Sequence, residues 1–141
     1  MGFLRNMRTI YASLFPLLLL GACATIADAP IVDGGPVQPE GSIVAIGEPV
    51  ALGELVLTPM RVTQDSRCPI NARCVWAGEI TVETRIDGAG WRETLPLTLG
   101  EAQTVRGHAI SLVSAEPGQM AGSDPVRPGE YRFAFEMSAS D

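Results

Sequence analysis

The chain has 141 residues, with ten arginines and no lysine against 16 acidic residues, a net charge of −6, one histidine and three cysteines. Such a balance repels phosphate backbones and argues against nucleic-acid binding. The length suits an N-terminal address segment followed by one domain with a core of its own, but not two domains.

Arg5 and Arg8 precede a stretch without charge over residues 9–25 whose centre, residues 14–20, is leucine-rich. A basic start and a short apolar run have the layout of a secretory signal and are too short to span a bilayer comfortably. The run ends in "LGAC", residues 20–23. This resembles the bacterial lipobox, in which a cysteine receives a diacylglyceryl group before the peptide bond ahead of it is cut. The resemblance covers residues 1–23 and implies lipid attachment, of the palmitate class, at Cys23. It also implies a place in the bacterial cell envelope.

Ala24, rather than an aspartate, follows the cysteine, which in enteric-type sorting implies the periplasmic face of the outer membrane. Two or more acyl chains anchor far more firmly than one. Cleavage before Cys23 removes two arginines and no acid, so the mature charge is 8 − 16 = −8. A charge of that sign is repelled by anionic lipid, which leaves the acyl chains as the anchor. Residues 24–42 hold three prolines and no sustained apolar period. They read as a tether, with the folded domain expected from residue 43 to 141.

Beyond residue 42 glycine or proline interrupts the chain every several residues and no helical period survives. "ELVLTPMRVTQ" reads as a strand whose phase shifts near Pro59, the mark of an edge or a bulge. "EITVETRID" sets Ile80, Val82, Thr84 and Ile86 on one face and Glu79, Thr81, Glu83 and Arg85 on the other. "DGAG" then "WRETLPLTL" predicts a hairpin turning at Asp-Gly, with the following Ala-Gly lengthening the loop and Trp91, Leu95, Leu97 and Leu99 in phase. "HAISLVSAEP" places Ile110 and Leu112 on one side, and "YRFAFEMS" sends Tyr131, Phe133, Phe135 and Met137 inward. A short strand at residues 43–46 or 50–52 completes six or seven. The fold class is therefore all-β, an antiparallel β-sandwich of Ig-like size, with a small barrel as the alternative.

Between the strand ending near Gln64 and one expected to begin near Val75 lies "DSRCPINARCVWAG", residues 65–78. With Cys23 lipidated, Cys68 and Cys74 remain as an even pair in an oxidising compartment. Joined, they close a ring of seven residues, worth about 2.4 kcal/mol by chain entropy. "DSRCP" followed by "CVWAG" resembles a stretch that recurs in small secreted or lipid-anchored bacterial proteins. That resemblance implies a shared β-domain with this disulfide and no mechanism. Two roles fit the loop. In one it is a brace, with Trp76 packed inward beside the disulfide. In the other it is a recognition surface offering Arg67, Ile70, Asn71, Arg73 and Trp76 to a partner.

The chemistry elsewhere is sparse. His108 could join Ser111 or Ser114 and a carboxylate as a hydrolase, but no nucleophile-elbow context accompanies it. Asp65, Glu79 and Glu83 could be drawn into a calcium site, yet the Asp/Asn ladder of a calcium loop is missing. No cofactor motif occurs, and five residues between the cysteines do not make a redox pair or a zinc site. Residues 115–131, with three prolines and three glycines, read as a long surface loop. The expectation is a non-enzymatic, lipid-anchored binding or envelope-assembly module: no cofactor, no metal, an envelope protein as possible partner. The alternative is an inhibitor or ligand-binding protein acting through residues 67–73.

Overall fold

The computed structural model describes residues 34–138; the signal segment, Cys23 and residues 24–33 of the expected tether lie outside the described residues. Seven strands form: β1 (Val50–Leu52), β2 (Leu55–Asp65), β3 (Ile80–Gly88), β4 (Trp91–Thr98), β5 (Ala102–Val105), β6 (His108–Glu116) and β7 (Arg132–Ser138). They make two antiparallel meanders, β1-β2-β3-β4 and β5-β6-β7, and no closed barrel. The chain crosses between sheets at two successive residues. Leu99 N–H donates to the Ile80 carbonyl of one sheet, and Gly100 N–H to the Leu112 carbonyl of the other.

Alternation decides what lies inside. Ile80, Val82, Thr84 and Ile86 of β3 are fully buried, and they meet Ile110 and Leu112 of β6 and Phe133 of β7 across the sandwich. Each such aliphatic or aromatic side chain contributes about 2 kcal/mol on transfer from water. β2 accommodates its proline with a bulge. The register runs Pro59↔Thr84 then Arg61↔Glu83, which leaves Met60 as the extra residue. β1 begins too late in the chain to pair there, so the missing N–H of Pro59 costs no ladder bond, while its carbonyl accepts from Gly47. β6 bulges at Val113, which moves the buried position from Leu112 to Ala115.

The β3–β4 loop is shorter than Asp-Gly-Ala-Gly, shifted onto its last two residues. Gly88 pairs with Trp91, so Ala89 and Gly90 make the turn and Asp87 stays in the strand, 1% exposed. The shift has two causes. Asp87 accepts from the guanidiniums of Arg85 and Arg92, and a Cβ on Gly88 would stand 2.2 Å from the indole of Trp91. Only glycine leaves room for that ring. The β5–β6 turn, Arg106–Gly107, has both residues at positive φ, 46° and 84°, as tight hairpins require.

Two further differences concern the ends of the domain. Gln38 and Glu40, expected in the tether, are bound to the sheet. Gln38 N–H donates to Pro49 and its carbonyl accepts from Ala51, while the Glu40 carboxylate accepts from Gly53 N–H. Of residues 43–46 only Val44 pairs, in a single bridge with Phe133 of β7.

Candidate functional site: the stapled tip

The two long connections, residues 66–79 and 117–131, leave β2 and β6 at the same end of the sandwich. The first begins by extending the β2–β3 ladder. Ser66 N–H donates to Glu79 at 2.8 Å and Cys68 N–H to Ala77 at 3.0 Å. The strands can approach there because Gly78, at φ 67°, has no Cβ; one would fall 1.8 Å from the Ser66 carbonyl oxygen. Beyond this neck, Ala72 N–H closes a turn on the Pro69 carbonyl. The Cys68–Cys74 disulfide, with its Cα atoms 5.9 Å apart, shuts the ring.

A polar hub holds the neck to the rest of the domain. Both carboxylate oxygens of Asp65 accept from the Arg67 guanidinium at 2.8 Å, and one also accepts from the Tyr131 hydroxyl at 2.8 Å. The remaining Arg67 donors reach the carbonyls of Ala115 (2.7 Å) and Pro117 (3.0 Å). Gln119 donates its amide to the Asp65 main-chain carbonyl. Side-chain exposures of 7% for Asp65 and 15% for Arg67 make this a nearly buried pair with its lone pairs and protons satisfied.

Burial alone would push the Asp65 carboxyl up. The hydrogen bonds from Arg67, the neighbouring Gln119 amide and Tyr131, with the charge of Arg67, outweigh it and hold the carboxyl at about 2. Burial, then the hydrogen bond to Asp65, pushes the Tyr131 phenol up to about 12. The hydrogen bond to Asp65 likewise raises Arg67 above its ordinary value. The second loop is tied in farther out. Ile70 N–H donates to Gln119, and Asn71 and Ala121 exchange two bonds, at 2.7 and 3.2 Å.

What this bracing holds out is apolar. Val75 is 93% exposed, Ile70 74%, Trp76 70%, and Met120 on the second loop 48%. Arg73 is exposed and makes no hydrogen bond or ion pair among the described residues. The expected site residues therefore divide. Arg67 and Asn71 are structural, because their polar groups are consumed in the brace, whereas Ile70, Arg73 and Trp76 face solvent.

Trp76 does not pack inward beside the disulfide. The strand expected near Val75 begins only at Ile80, so neither Val75 nor Trp76 belongs to the sheet. Val75 and Met120 escaped the sequence reading. Val75 sits in a short apolar run, residues 74–77, that passes for a strand start, and Met120 lies alone in a stretch of small and polar residues. Nothing in the sequence pairs Arg67 with Asp65 rather than with a partner, although their two-residue separation permits it.

The remaining candidates are dispersed. His108 is half-buried at the start of β6, opposite Val105, and makes no hydrogen bond to Ser111, Ser114 or a carboxylate among the described residues. Asp65 is committed to Arg67, while Glu79 accepts from Gln64 and Glu83 from Arg61. Among the described residues no three His, Cys, Asp or Glu side chains are placed to hold a metal ion. A half-open cleft of about 270 Å³ lies between Met60 and Val62 of β2 and Val126 and Tyr131. It is mostly apolar, its arginine, Arg61, is paired with Glu83, and the Tyr131 hydroxyl is engaged by Asp65. Compared with protein-family models, with curated proteins and with solved structures, the chain finds no match.

Proposed function

We propose that the chain is a lipid-anchored module of the bacterial cell envelope that works by contact rather than catalysis, with the stapled tip as its contact surface. The observation that carries the reading is the exposure of Trp76 and Val75 on a loop fixed by a disulfide, a buried ion pair and a neck that only glycine permits. Single exposed apolar residues are ordinary, but a group of them on one braced loop marks a contact surface. A loop already fixed loses little further entropy on binding. The lipobox motif supports the anchor at Cys23. The alternative of an inhibitor presenting two arginines keeps only Arg73, because Arg67 is bound within the domain.

Two measurements test the reading. Intact mass of the membrane-extracted protein, with and without reduction before thiol alkylation, should show acyl additions at Cys23 and alkylation of Cys68 and Cys74 only after reduction. A photo-crosslinking residue placed at position 75 or 76 in cells should give a defined envelope adduct. The same residue at Val113, exposed on the bulge of β6, should give none. Equal labelling from both positions would defeat the tip as contact surface.

A further inference from the structure

We infer that what the stapled tip contacts is a lipid surface: Trp76, Val75 and Ile70 seat at the boundary between headgroups and acyl chains, and Arg73 meets lipid phosphate. This rests on the anchored-module reading only for the nearness of a bilayer. Three observations point to lipid. The tip is a convex group of apolar side chains raised on a neck, and a fluid surface receives such a group without a matching pocket. Tryptophan, with an apolar body and one N–H, is suited to that boundary.

Charge is the second observation. Residues 66–78 hold two arginines and no acid in a chain of net charge −6. The guanidinium of Arg67 is neutralised by Asp65, so Arg73 sets the sign of the tip. The charges bordering the tip are Glu79, which accepts from Gln64, Glu116 at the end of β6 and, on the second loop, Asp124 and the Arg127–Glu130 ion pair. The tip thus carries a cation without an acidic partner in a domain of negative net charge, which lessens the repulsion from anionic lipid at that point.

Reach is the third. Eleven residue steps join Cys23 to Gly34, the first described residue. At no more than ~3.5 Å each, they extend at most ~38 Å. A domain of this size has a diameter of roughly 34 Å. The anchor therefore keeps the domain within about its own width of the membrane, and any face of it can be turned to the lipid.

The test uses the full lipid-modified chain in vesicles of phosphatidylethanolamine and phosphatidylglycerol. The signal of Trp76 is the emission of the protein minus that of Trp76→Phe, which removes Trp91 from the reading without disturbing its packing. The expected result is a blue-shifted Trp76 emission, quenched by bromine on the lipid chains and shielded from aqueous iodide, with all three effects reduced in Arg73→Glu. If Trp76 reports water while intact mass shows acylation and the protein floats with the vesicles, the inference is overturned. The anchored module then stands with its tip free for a protein. If the mass shows no lipid yet added vesicles still shift and quench Trp76, the lipid contact stands and the anchor falls. Water on both counts removes both.

Discussion

The two ends of the sandwich use the same device to opposite effect. At the β3–β4 end, Asp87 is buried between Arg85 and Arg92, and the adjacent Trp91 lies flat over Gly88. Arg106 reaches across from the other sheet to stand 4.8 Å from the Trp91 ring centroid while donating to Glu93. At the β2–β3 end, Asp65 is buried against Arg67 and Tyr131, and the tryptophan of that end, Trp76, is left bare. One carboxylate hub fixes a hairpin and its tryptophan is covered; the other fixes a loop and its tryptophan is presented. Arg106 shows the covering end to be the costlier one. Its φ of 46° is worth about 1–2 kcal/mol of strain in a residue with a Cβ, offset by the Trp91 and Glu93 contacts.

The comparison predicts that the two hubs are equally structural. Asp65→Asn and Asp87→Asn each leave nearly buried guanidinium charge without its carboxylate, and each should lower unfolding free energy by about 3 kcal/mol in urea melts. A large loss at Asp87 with none at Asp65 would show that the loop is not braced from within. The next effect exists at one end only. Cys68→Ser with Cys74→Ser should cost about 2.4 kcal/mol, since the ring of seven residues regains its freedom in the unfolded chain. The circular-dichroism signature of the sheets should persist, because every core residue lies outside that ring.

Acid acts on the Asp65 hub. The Asp65 carboxyl titrates at about 2 in the folded chain against 3.8 ordinarily. A depressed carboxyl contributes stability that is complete above pH ~4 and disappears as the pH falls through ~2. The shift corresponds to about 2 kcal/mol. Stability measured from pH 5 down to 2 should therefore fall, and Asp65→Asn should remove that portion of the slope. On the alkaline side the phenol of Tyr131, raised to about 12, contributes stability that is complete below its ordinary value of 10 and is lost as the pH rises through 12.

The strands were legible wherever a period of two was unbroken. In β3 and β7 the alternating residues are the buried ones, because a strand facing a core on one side has no other way to hide them. β5 was not legible. Its four residues, Ala-Gln-Thr-Val, bury only Val105, so there is no period to read, and it is held by pairing with β6. The β3–β4 loop is shorter than its sequence suggests because the strength of Asp-Gly as a turn signal is local. The use of Asp87 depends on Arg92 across the hairpin and that of Gly88 on the ring of Trp91. At the tip, the disulfide ring was visible in the spacing of two cysteines. The direction of its side chains was not, since it follows from Asp65 capturing Arg67 and from contacts some 50 residues away, at Ala115, Pro117 and Ala121.

The smallest effect is the most informative. Trp91→Ala should cost about 2 kcal/mol, through lost packing on Gly88 and the lost partner of Arg106. Trp76→Ala should change stability by less than about 0.5 kcal/mol, because a side chain that is 70% exposed leaves no cavity when removed. Paired melts of the two variants measure directly how much each indole contributes to the fold. If Trp76→Ala costs as much as Trp91→Ala, the indole packs on its own loop and the tip is another brace. If the costs separate as expected, Trp76→Ala becomes the clean variant for function. Any loss of the proposed contact in it then comes from the surface that the loop presents and not from a weakened domain.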